Sequence, residues 1–125
     1  MLRTVGSQRF RILQRRVLAD RRQEAQIELI TADRPGKPDQ IHLDCAALLK
    51  LVIDDINTQG RTAHGSDYAS PFAVPLQFNN AGWVANRWCE ILPIPLKARQ
   101  ALLETIDGNQ RLGIVHQYLL QHDII

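Results

Sequence analysis

The apolar residues of this chain change their period once, and that change decides what the chain can fold into. Up to Leu29 they alternate with polar neighbours: Phe10 and Ile12 stand beside Arg9 and Arg11, and Ile27 and Leu29 beside Gln26 and Glu28. Alternation sends successive side chains to opposite faces of an extended strand. From Ile41 onward the steps are three and four residues, which stripes one side of a helix. Between the two regimes lies ADRPGKPDQ (Ala32 to Gln40), where proline, glycine and charge break both patterns. The expected fold is therefore α+β: an antiparallel β portion over residues 1–34, a linker over 35–39, and a helical bundle subdomain of about four helices over 40–125.

Within the β portion, Gly6 interrupts the run MLRTVGSQRFRILQRRVLA, and a lone glycine in a strand pattern predicts a bulge or kink there. The polar run Asp20-Arg21-Arg22-Gln23 predicts the turn between two antiparallel strands. In the helical portion Asp39 is placed to cap a long first helix through Ile41, Cys45, Leu48, Leu49, Val52, Ile53 and Ile56, with Gly60 as its stop. Residues 58–75 show no sustained period, and a stretch of that length is expected to be functional or mobile. Asn79 or Asn80 then caps a helix with Val84, Trp88, Ile91 and Leu92 on one side. Pro93 ends it and Pro95 opens the next. That helix is expected to bury Leu96, Leu102, Leu103 and Ile106. Asp107-Gly108-Asn109 breaks it and caps a last helix bearing Leu112, Val115, Leu119 and Leu120.

Chemistry-bearing residues are sparse. His64-Gly65-Ser66-Asp67 gathers three triad-type residues, but as neighbours on one loop, and catalytic triads assemble from separated segments. His116 and His122 are six apart, on different helix faces, and adjacent Asp54 and Asp55 diverge. Cys45 and Cys89 sit in helical apolar pattern, the setting of small buried hydrophobes. No catalytic, cofactor-binding or metal-ligating set is expected. No run of eighteen apolar residues and no apolar leader is present, which points to a cytoplasmic protein with no membrane partner.

The net charge of +2 hides an asymmetry: residues 1–38 hold nine Lys/Arg against four Asp/Glu, and the remainder six against nine. Arg9, Arg11, Arg15, Arg16, Arg21 and Arg22 raise the question of a phosphate-contacting stripe. Only Phe10 interleaves an aromatic, and a solvated strand face that resists aggregation accounts for the same residues.

Interface candidates are apolar side chains off the core stripes. Trp83 lies one step from the Val84–Trp88 stripe. In SPFAVP (Ser70 to Pro75), Phe72 and Val74 either tuck onto the bundle or stand available to a partner.

The order of elements resembles the N-terminal domain of Lon protease. GSQRFRIL (Gly6 to Leu13) followed by AQIELI is similar to the last strands of that domain. LPIPLKARQALLETIDGNQRL is similar to its tail, where a leucine-proline joint leads to a K-x-x-L-L-E helix and then a Q-R-L helix. The long helix from Asp39 lies where the family has its long bundle helix. The resemblance implies a PUA-like pseudobarrel of strands followed by helices, and a non-catalytic module that binds unfolded or tagged polypeptides for an ATPase and a peptidase. No G-x-x-x-x-G-K-[ST] phosphate loop and no Ser–Lys peptidase pattern occurs here. Pattern, and not the resemblance, supplies the candidate polypeptide contacts: Phe10, Ile12, Phe72, Val74 and Trp83, with strand addition at the edge around Phe10 and Ile12. Two strands do not close a barrel, so the expectation is either a shortened form of a longer domain or a homo-oligomer joined through exposed strand edges. The contrasting reading is a nucleic-acid-binding PUA-like module using the basic strands.

Overall fold

The computed structural model describes residues 2, 4–34 and 36–125, and in it the change of period becomes a change of structure. Strands β1 (Phe10–Val17) and β2 (Gln23–Leu29) are followed by α1 (Gln40–His64), a 3-10 turn (Gly65–Asp67), α2 (Ala81–Ile91), α3 (Leu96–Glu104) and α4 (Gly108–Gln121). This is the α+β order expected. The chain divides into two units, Met1–Ala32 and Asp33–Ile125. Pro35, within the expected linker, lies outside the described residues.

The first unit is a two-stranded antiparallel hairpin. Phe10 pairs with Leu29 and Ile12 with Ile27. Beyond Leu13 the register slips by one, so that Gln14 meets Gln26 and Val17 meets Gln23. Leu13 is thus the extra residue of a β-bulge. The bulge falls there and not at Gly6, which precedes β1. Its effect is a change of parity: Val17, at an odd position, joins even-numbered Phe10 and Ile12 on one face. The turn is closed by Leu18 N–H donating to Arg22 C=O at 2.7 Å and Arg21 N–H donating to Leu18 C=O at 2.9 Å. Its third residue, Arg21, has φ of 69°, the left-handed region.

Each long element of the second unit begins at a side-chain cap. Asp39 Oδ1 accepts from His42 N–H at 2.8 Å, Asn80 Oδ1 from Trp83 N–H at 3.1 Å, and Asp107 Oδ1 from Asn109 N–H at 2.8 Å. Each satisfies one of the orphan donors of a first turn. Helix α1 buries His42, Cys45, Ala46, Leu49 and Ile53 along one stripe. Helix α2 buries Val84, Ala85 and Trp88, and α4 buries Leu112, Val115 and Leu119. Helix α4 packs chiefly on α2, and α1 packs on both. Two polar groups inside this core are paired: Trp88 Nε1–H donates to Cys45 C=O at 3.1 Å, and His42 Nε2 lies 2.8 Å from Phe78 C=O. Truncating a fully enclosed side chain such as Leu49 to alanine costs about 2–5 kcal/mol in cores of this kind.

Three features differ from the sequence expectation. Gly60 does not stop α1, which continues to His64 and ends at Gly65 with φ of 58°. Gly60 is instead a notch: a Cβ there would lie 2.1 Å from Tyr68 Cε2, and the Tyr68 hydroxyl reaches back to Asn57 Oδ1 at 2.6 Å. The stretch after α1 is accordingly shorter than periodicity suggests. In α3 only Leu102 is buried, while Leu96, Leu103 and Ile106 are exposed. The joint before α3 takes part of their place: Ile94, held between Pro93 and Pro95, is buried with Leu92.

Candidate functional site

The hairpin's two faces are chemically opposite. Pairing of Phe10 with Leu29 and Ile12 with Ile27, with Val17 brought round by the bulge, collects five apolar side chains on one face, where Arg15, opposite Ala25, stands between Ile12 and Val17. Their exposure runs from 45% for Ile27 to 66% for Val17. The other face is charged. Arg11 stands opposite Glu28, and Arg16 opposite Glu24, with Arg16 Nη2 and Glu24 Oε2 2.6 Å apart. At the turn Arg22 Nε meets Asp20 Oδ2 at 2.5 Å. Past the bulge the strands enclose an open hollow of about 280 Å³ lined by Gln14, Arg15, Arg16, Glu24, Ala25 and Gln26. Opposite charges directly across a ladder stabilise the pair, so part of the basic stripe is already engaged within the hairpin.

Phe10 and Ile12 therefore stand together on an exposed sheet face with Ile27 and Leu29. Val17 escapes a reading of the sequence alone because strict alternation assigns it to the charged face.

The candidates of the second unit separate. Phe72 is 8% exposed and packs in the bundle core, so it tucks in and offers no surface. Its N–H donates to Ser70 Oγ at 3.2 Å, and Ser70 Oγ–H donates to Asn57 Oδ1 at 2.8 Å, which ties the loop down onto α1. Val74, two residues on, is 84% exposed. Trp83 is half-buried against the core, edge-on to Phe78 with ring centroids 5.3 Å apart, and the Arg87 guanidinium lies 5.3 Å from its ring centroid. The Trp83 ring thus already has an aromatic and a cationic neighbour.

Other chemistry is absent among the described residues. No group of three His, Cys, Asp or Glu is placed to hold a metal ion, and no helix is long and apolar enough to cross a membrane. His64, Ser66 and Asp67 are all exposed, and no hydrogen bond joins them. Burial pushes the Cys45 thiol up to about 11, with Asp44 and Asp39 adding to the effect. Burial raises Cys89 too, against the opposing pull of Arg111 and Arg99. Neither is an activated nucleophile. Among the described residues the arrangement offers apolar surface and open strand edges.

The family model described as the ATP-dependent protease La (LON) substrate-binding domain matches residues 1–121. Among solved structures, a Lon N-terminal domain protein from Xanthomonas campestris shares the fold with a TM-score of 0.65 at 22% identity. The match covers 88% of this chain and 52% of that one, so this chain spans about half the length of the solved structure. No curated protein matches.

Proposed function

This chain belongs to the family of LON substrate-binding domains, and from that premise we propose that it recognises unfolded or tagged polypeptides through the apolar face and open edges of its hairpin. The family is a binding domain without catalytic machinery, so the work required is recognition alone. One observation carries the reading: Phe10, Ile12, Val17, Ile27 and Leu29 share an exposed sheet face. Exposed apolar side chains clustered on one face and bordered by charge mark an interaction site. A folded client offers such a face little, because its own apolar side chains are inside. An unfolded client offers extended backbone and apolar side chains together, which matches what a strand edge with an oily face receives. Val74 is a second candidate contact on the bundle, and Trp83 a lesser one.

Fluorescence anisotropy of a labelled, reduced and carboxymethylated model protein tests this, with the same protein in its native state as control. Saturable binding of the unfolded form is expected, weakened at least tenfold in the double variant Phe10→Ser/Ile27→Ser. Equal binding of native and unfolded forms, or no effect of the double substitution, refutes the assignment to the hairpin. Circular dichroism of the double variant guards against loss of the helical unit.

A further inference from the structure

The two strands also differ in charge, and the difference selects what can join them. Strand β1 carries three arginines, Arg11, Arg15 and Arg16, and no acidic residue. Strand β2 is QEAQIEL, which puts Glu24 and Glu28 on the charged face and Ala25, Ile27 and Leu29 on the apolar face. Among the described residues, each strand of the two-stranded sheet keeps one unpaired edge. Ile30 N–H donates to Arg9 C=O and Leu18 N–H to Arg22 C=O. By the alternation of an antiparallel ladder, the backbone groups of Phe10, Ile12, Arg15 and Val17 then face away from β2.

We propose that the free edge of β1 takes extended segments in which acidic residues alternate with apolar ones, the pattern that β2 itself presents to the other edge. This deepens, and rests on, the reading of the hairpin as a polypeptide-binding surface. An incoming strand lies beside the same two faces of β1 that β2 already meets. On one side its apolar residues extend the patch of Phe10, Ile12 and Val17; on the other its carboxylates approach Arg11 and Arg16 from the side away from Glu28 and Glu24. The two glutamates of β2 face Arg11 and Arg16 while Arg15 stands opposite Ala25, so β1 keeps an excess of positive charge that attracts further acid. A second copy pairing β1 with β1 would set arginine against arginine, which disfavours that occupant. A nucleic acid would supply charge but nothing for the apolar face.

The test uses fluorescein-labelled, end-capped eight-residue peptides of equal apolar content whose alternate positions are Glu, Gln or Lys. The expected order of affinity is Glu over Gln over Lys, with at least a tenfold gap between the extremes at low ionic strength and a narrower gap in high salt. N-methylation of the Glu peptide at alternate backbone positions should abolish binding, since strand addition needs those donors; this arm requires no variant of the protein. Arg11→Glu/Arg16→Glu should reverse the order. If unfolded protein binds but Glu and Lys peptides bind alike, or N-methylation is harmless, this inference fails and the broader reading stands. If neither unfolded protein nor any peptide binds, the broader reading fails as well. Self-association in sedimentation that blocks the Glu peptide, or its displacement by single-stranded RNA at physiological salt, assigns the edge to another occupant and overturns the inference.

Discussion

Arg111 and Asp33, 78 residues apart in the sequence, form an ion pair at 2.8 Å in which the arginine side chain is 1% exposed and the aspartate 12%. The guanidinium also donates to Leu102 C=O at 3.1 Å and to Thr105 C=O. Asp33 is held at its other end by Asn80, whose Nδ2–H donates to its carbonyl at 3.3 Å. The pair joins the chain that enters the helical unit to the first turn of α4 and to the end of α3. Removing one partner of such a pair leaves a buried charge without compensation. Asp33→Ala is expected to cost about 3–5 kcal/mol, and Asp33→Ala/Arg111→Met less than the sum of the single changes. Urea unfolding of the three variants checks this; additive costs would show that the two side chains do not act as a pair.

Two glycines stand at helix starts where the chain packs closely, Gly82 against the same aspartate and Gly108 against the Gly82 backbone. A Cβ on Gly82 would come within 2.1 Å of Asp33 Oδ2, and one on Gly108 within 2.8 Å of Gly82 N. The carboxylate therefore lies against the first turns of α2 and α4, where free N–H groups and the helix dipole favour an anion. Gly113, in the interior of α4, has nothing within 4 Å of the same construction. Opposite outcomes follow from one substitution. Gly113→Ala should stabilise by about 0.5–1 kcal/mol through helix propensity. Gly82→Ala should destabilise, because the clash outweighs that gain. Thermal unfolding of both variants gives the signs directly; a stabilising Gly82→Ala would contradict the packing described.

What was legible in the sequence is what local chemistry decides. Asp39, Asn80 and Asp107 cap helices because a short acceptor before an apolar stripe has few other uses, and Pro93 ends α2 for steric reasons that need no neighbour. Phe10, Ile12, Ile27 and Leu29 are readable as one face from alternation alone. Less legible are positions whose role is set by something distant in the chain. Gly60 looks like a helix stop, yet its lack of a side chain answers to the ring of Tyr68. Leu13 carries no mark of a bulge, because the slip serves Val17, four residues on. Phe72 and Val74 have the same local setting, and only contact with α1 decides that one is core and the other surface. Nothing local to Arg111 marks it for burial; that follows only when Asp33, 78 residues away, is brought to it.

The hairpin turn offers a prediction about the proposed binding surface. Arg21 occupies a left-handed conformation at φ of 69°, closing a three-residue loop in which Asp20 Oδ1 accepts from Arg22 N–H at 3.1 Å. A residue with a Cβ is strained there by about 1 kcal/mol relative to glycine. Arg21→Gly should therefore tighten the turn while leaving the Arg22–Asp20 and Arg16–Glu24 pairs in place. Amide hydrogen exchange across Phe10–Val17 and Gln23–Leu29 should slow by about fivefold, the factor that 1 kcal/mol supplies. Faster exchange in the glycine variant would mean that chain flexibility outweighs relief of strain.

Cys45 gives a pH dependence with a defined sign. The thiol is fully enclosed, and burial raises it from an ordinary 9.0 to about 11. Below pH 9 the thiol is protonated in folded and unfolded chains alike, and its contribution to stability is intact. Between pH 9 and 11 the unfolded chain ionises at this position and the folded chain does not. Unfolding then releases a proton, and stability falls as pH rises, with a limiting slope of about 1.4 kcal/mol per pH unit for one thiol. Tyrosine and lysine titrate in the same range, so the measurement is a difference: urea unfolding of wild type and Cys45→Ala at steps from pH 8 to pH 11. The wild type starts the more stable and should lose that advantage across the window, while its thiol reacts slowly with a disulfide reagent at pH 8. Parallel stability curves, or rapid labelling of Cys45 in the folded chain, would show that the sulfur is not enclosed as described.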